Sequence, residues 1–254
     1  MRFCITLFLF FLVGCSAPKS EPIVFEVETA IEPTADGVLV TKIVISPQDG
    51  GYSKMLSEFG KPLKSIELAK GLEAEGLSAR VIDAVDVPAI ISTVGTQDDS
   101  AFVWHGQFVQ WRAVIQRQIP DDGILVVASG RSHFVDKGFL SILSRSWLLH
   151  RDSELSVYVQ LLPTWHIPIE GGLVLAQGEA AKQSTLFREL EIELLLADGE
   201  ALLLSTELEE HLAANGPQIE GPTPVRLGES LLGGDVEEGK VILLLIEANI
   251  LARE

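Results

Sequence analysis

The sequence predicts an α+β fold, a short βαβα segment followed by a β-rich, mostly antiparallel region. Strand-like runs of apolar and β-branched residues recur along almost the whole chain. Helical spacing is concentrated in the first hundred residues. The later strand candidates are joined by turns too short for parallel crossovers, which need a dozen residues or more.

Ile23 to Glu28 alternates apolar and acidic residues as a short strand would, and Glu32 to Gly37 reads as a turn. Val38 to Ser46 is a β-branched strand. Pro62 to Leu77 has the marks of a helix, with proline in the first turn and Gly76 placed to stop it. Ile66, Leu68, Ala69 and Leu72 share one side of it. Ala79 to Val85 is the next strand, and Asp86 is placed to cap a short helix carrying Pro88. Strand candidates then follow at 102–104, 108–115, 124–129, 139–149 and 155–162. Gly106, Pro120-Asp121-Asp122-Gly123, Gly130, Lys137-Gly138 and Arg151-Asp152-Ser153 punctuate them. Arg188 to Leu196 alternates charged and apolar residues, and Asp198-Gly199 is hairpin-turn chemistry leading to Ala201–Leu204. Thr206-Glu207-Leu208-Glu209 matches a capping box, opening a helix that Gly216-Pro217 ends. Lys240 to Leu251 is almost wholly apolar and expected to be buried on both faces.

The first residues have a different job. Phe3 to Val13 carries no charge and follows Met1-Arg2. As a helix it would be about 16 Å long, against a hydrocarbon core of about 30 Å, so it suits a secretory leader better than a span. Leu12-Val13-Gly14-Cys15 resembles the lipobox of bacterial lipoproteins. The resemblance implies cleavage between Gly14 and Cys15 and lipidation of Cys15. Two or three acyl chains would then hold the protein on a membrane. Ser16 after the cysteine implies an outer membrane, facing the periplasm. The organisation read from this is a signal peptide (1–14), a lipidated N-terminus and tether (15–36), a small α/β segment (37–98) and a β-rich region (99–254). The last two are separate units or one continuous domain, with the seam near Thr96–Ser100.

Cys4 and Cys15 are the sole cysteines, so the expected mature chain has neither a disulfide nor thiolate metal chemistry. A formal charge of −17 argues against nucleic acid, which demands clustered Lys and Arg. No cofactor is expected, because GxGxxG, Walker A and EF-hand patterns are missing from the sequence. No metal is expected either, since the five histidines form neither HxH nor HExxH.

The chemistry-bearing candidates are His105, His133, His166 and Asp83. Trp104-His105 and Trp165-His166 repeat one dipeptide, read as Trp toward the core and His toward solvent. Ser129-Gly130-Arg131-Ser132-His133 gathers hydroxyls, a guanidinium and an imidazole in a glycine turn suited to an anion, without the GxSxG elbow of a serine hydrolase. Asp98-Asp99 and Asp121-Asp122 read as solvated turn formers. The tail also resembles the C-terminal part of secretin-type pore proteins, through Asp198-Gly199-Glu200, Pro224 to Gly233 and the strand from Val241. That implies a secretion-system or pore-associated role, though the family's second loop proline and closing Thr-Pro are missing. The reading with most behind it is a non-catalytic, membrane-anchored binding or assembly protein that docks an envelope protein or cell-wall component. An envelope hydrolase using His105, His133, His166 and Asp83 is the rival class.

Overall fold

A computed structural model describes residues 35–128, 130–151, 154–167, 184–206, 224–233 and 239–251. The leader, the lipobox with Gly14 and Cys15, the strand expected at 23–28, most of the turn expected at 32–37 and the capping-box helix all lie outside them.

The chain runs through β1 (Gly37–Pro47), α1 (Gly51–Glu58), β2 (Lys61–Pro62), α2 (Ile66–Ala74), β3 (Ser78–Asp83), α3 (Val87–Val94) and β4 (Gly95–Gly106). It continues with β5 (Phe108–Gln118), β6 (Ile124–Ala128), β7 (Arg131–Val135), β8 (Phe139–Arg151), β9 (Glu154–His166), β10 (Ser184–Leu186) and β11 (Ile192–Leu196). It closes with β12 (Glu200–Ser205), β13 (Pro224–Arg226), α4 (Leu227–Leu232) and β14 (Val241–Asn249). The described chain is mostly antiparallel sheet, as the sequence predicts, with β13 against β6 pairing in parallel.

A first sheet has the order β2-β3-β12-β14-β1-β4. Its centre explains the apolar tail: β14 presents Ile242, Leu244 and Ile246 to one core and Val241, Leu243 and Leu245 to another. Alternation puts successive side chains on opposite faces, so burying both faces requires an unbroken apolar run. On one face these residues meet β8, β9 and β11 of a second sheet, through Ile142, Val159, Leu161 and Ile192. On the other they meet Met55 of α1 and Ile90 and Val94 of α3.

The strands of 37–98 do not form a βαβ layer of their own. Between β1 and β3 lie β14 and β12, supplied by the far end of the chain. These two apolar strands need neighbours on both edges, and they take β1 and β3. β4 runs unbroken through the expected seam at Thr96–Ser100. Pro62 lies in β2, not in a helix, and α2 begins after Ser65, whose hydroxyl accepts from the Leu68 N–H at 3.3 Å. Ile66 is 69 % exposed, so the buried side of α2 is Leu72 with Leu68 partly buried against it. Asp86 makes no side-chain cap, because a 3-10 turn at Ala84–Asp86 already holds its backbone in the helical region.

The second sheet has the order β10-β9-β8-β5, with β11 also paired to β9. Arg188–Leu190 is a 3-10 turn, so the strand expected from Arg188 begins at Ile192. Asp198-Gly199 does form a turn, with Gly199 at φ +73°. It closes no hairpin, however, since β11 belongs to the second sheet and β12 to the first. The turn transfers the chain between layers, because β12 is buried on both faces (Leu202 and Leu204 against Ala201 and Leu203) and fits only beside β14.

Candidate functional site

The four sequence candidates stand on four strands in three sheets, the third having the order β13-β6-β7. Asp83 ends β3 and is exposed, without a cap bond to the turn it precedes. His105 is on β4, half-buried beside Phe108 at 5.2 Å, and burial with the Arg112 charge pulls its pKa below the ordinary imidazole value. His133 is on β7, edge-on to Phe187 at 5.7 Å. His166 ends β9, stacked on Phe139 at 5.9 Å and 7 % exposed, with its pKa lowered by burial. Among the described residues, none of the four hydrogen-bonds another, and no group of three His, Cys, Asp or Glu side chains is placed to hold a metal. The Trp-His expectation fails for His166. Trp165 packs against the core and its indole N–H donates to the Lys137 carbonyl at 2.9 Å, yet the imidazole on the opposite face is also buried.

The glycine turn before His133 is occupied from within. The Gly130 N–H donates to Glu75 Oε1 at 3.2 Å, and Glu75 is 4 % exposed. The Gly228 N–H donates to the Glu75 carbonyl at 2.8 Å, so one residue after α2 joins the β6–β7 turn to α4. The anion that this turn takes is a carboxylate of the chain itself.

A set of side chains that sequence reading missed lies on the face of the second sheet turned away from the core. Two cross-strand rows define it. Leu195 on β11 stands opposite Tyr158 on β9, and Tyr158 opposite Trp147 on β8. One step along, Glu193 stands opposite Gln160, and Gln160 opposite Arg145. On β5, Phe108 pairs with Ser146 and Arg112 with Ser144, so Val109, Gln110 and Trp111 share the place facing Arg145. Such a bulge re-aims side chains locally, and here it brings Trp111 to Arg145.

The contacts follow from this register. The Arg145 guanidinium lies 4.6 Å from the Trp111 ring and 5.5 Å from that of Trp147, a double cation–π contact. Trp147 and Tyr158 rings are 4.5 Å apart. Arg145 Nε donates to Gln160 Oε1, and the Gln160 amide donates to Glu191 and, at 2.7 Å, to Glu193. Gln160 is 4 % exposed, so the network is anchored by a buried amide. The Tyr158 hydroxyl is pushed up to about 12 by burial, then by its hydrogen bond to Glu193 and the charge there, with Arg145 opposing. It stays a neutral donor throughout the physiological range.

Arg145, Trp147, Tyr158 and Trp111 are half-buried, and Val109 beside them is 69 % exposed. Trp, Tyr and Arg together on a surface, held by neighbours, are the composition of binding hot spots. Farther along the same face Ser141, Leu143, Leu162 and Thr164 are buried, ending at His166. The signal left in the sequence is a long polar side chain within each strand, Arg145 in Ser144-Arg145-Ser146 and Gln160 between Val159 and Leu161.

Among the described residues no helix is long and apolar enough to cross a membrane. No protein-family model, curated protein or solved structure matches the chain.

Proposed function

We propose that the chain is a lipid-anchored protein of the cell envelope that binds or assembles a partner through the outer face of its second sheet. Residues 1–14 act as the leader, Cys15 becomes the acylated N-terminus, and the stretch to residue 36 is the tether. Outer-membrane placement facing the periplasm follows from Ser16. The fold is read as α+β, with the strand–helix alternation of 37–98 as its start.

The observation that carries the binding part is the Trp111–Arg145–Trp147 stack tied through Gln160 to Glu191 and Glu193. A network fixed by four strands on an outward face presents aromatic and charged groups in one geometry, which lowers the ordering cost of association. The hydrolase reading has no comparable support, since Asp83, His105, His133 and His166 share no contact among the described residues.

The anchor is tested by growing cells with labelled palmitate. Label is expected in the wild type and not in Cys15→Ala, and an inhibitor of lipoprotein signal peptidase should leave the longer precursor. Met1 retained on the purified protein would overturn the envelope placement. The binding face is tested by a photo-crosslinker at position 195, expected to capture a component that Trp147→Ala loses.

A further inference from the structure

We propose that the Trp111–Arg145–Trp147–Tyr158 face is a site for a neutral glycan chain. This deepens the binding reading above and rests on it. The ligand must match two adjacent rows of different chemistry. One row offers Tyr158 and Trp147, with aliphatic contact from Leu195. The other offers a guanidinium and carboxylates, oriented by the buried Gln160 amide between them. Strands stand about 4.8 Å apart and rows about 6.8 Å apart, so both kinds of group fall within one sugar unit of each other. A pyranose has C–H faces that pack on aromatic rings and a rim of hydroxyls that donate to carboxylates and phenol oxygen and accept from guanidinium. Few other ligands carry both on so small a unit.

Charge favours the same class. Arg145 is matched through Gln160 by Glu191 and Glu193, so this network holds one cation and two anions in a chain already at −17. An anionic ligand is repelled. Tyr158 remains protonated with its O–H given to Glu193, so it offers a ligand its ring and an acceptor oxygen.

Full-length protein in detergent is titrated with N-acetylglucosamine hexamer, cellohexaose and hexalysine, following tryptophan emission. Saturable binding of at least one glycan is expected. Trp147→Ala should weaken it at least about tenfold, the change that about 1.4 kcal/mol represents. Trp147→Phe should restore most of it. Glu193→Gln, at an exposed position, serves if Trp147→Ala fails to fold, and it should weaken the same glycan. Absence of binding by both glycans, glycan binding indifferent to these variants, or binding of hexalysine alone would overturn the proposal. Crosslinking from position 195 separates the two failures: a protein captured there with no glycan bound leaves the binding face standing and removes the glycan.

Discussion

The two large sheets solve different problems with similar strands. The first is covered on both sides at its centre, and β14 and β12 have no outward face to spend on recognition. The second has one face in the shared core and one turned outward. On that outward face β8 and β9 replace aliphatic residues with Arg145, Trp147, Tyr158 and Gln160. Apolar burial is non-directional and scales with area, so the first sheet tolerates only shape. Around Trp147 and Tyr158, unlike at the buried Leu143 and Leu162 of the same face, the second can change its outward residues at little cost to the core. Stability and the proposed recognition thus fall to different layers.

The sharpest way to break that division is to cut into the first sheet. Leu244 is fully buried in β14, and Leu244→Ala should cost about 3 kcal/mol, measured by urea denaturation. Arg145→Ala on the second sheet's outer face should cost far less. Equal losses would mean that the outer network supports the fold rather than decorating it. The junction at Glu75 comes next. A Cβ added at Gly228 would sit 2.2 Å from the Gly76 carbonyl oxygen, backbone against backbone. Gly228→Ala should therefore destabilise by about 2 kcal/mol through overpacking. An unchanged midpoint would show that α4 can move away from the Glu75–Gly76 turn freely.

A smaller effect tests the outer network without unfolding anything. Glu193 raises the Tyr158 pKa both by accepting its hydrogen bond and by its charge. Glu193→Gln removes the charge, so ultraviolet titration should show Tyr158 ionising below its native value of about 12. A titration that does not move would mean that burial alone sets it.

What the sequence made legible follows the same division. β14 and the β8–β9 hairpin are readable because an apolar run, or two runs with a tight turn, states its environment locally. Asp198-Gly199 was not readable as a crossing between sheets. Turn chemistry fixes the local bend, whereas sheet membership depends on which distant strand offers a matching face. The strand order of the first sheet was hidden for the same reason, since β1 and β3 are separated by β12 and β14 from the far end of the chain. Trp111, Arg145, Tyr158 and Glu193 become neighbours only through the register of four strands and one bulge. His166 was misassigned because period-two alternation says which face a residue takes, and not whether that face is covered.

The least of the expected effects concerns that imidazole. Its folded pKa lies below the ordinary 6.5 because burial disfavours the charged form. The neighbours opposite it, Phe139 on β8 and Ser184 on β10, carry no charge. Below 6.5 the unfolded chain takes up a proton that the folded chain resists, so stability present above that pH is lost as pH falls toward the folded value. His105 contributes in the same direction. Glu247, raised by burial and by Asp198, works oppositely: its contribution is complete below 4.5 and fades as pH rises through its folded value. A urea midpoint measured from pH 7.5 to 5.5 should therefore fall for the wild type, and fall less for His166→Phe. Parallel curves would mean that the two protonation states of His166 are equally accommodated and that the second sheet's buried end is wetter than its packing indicates.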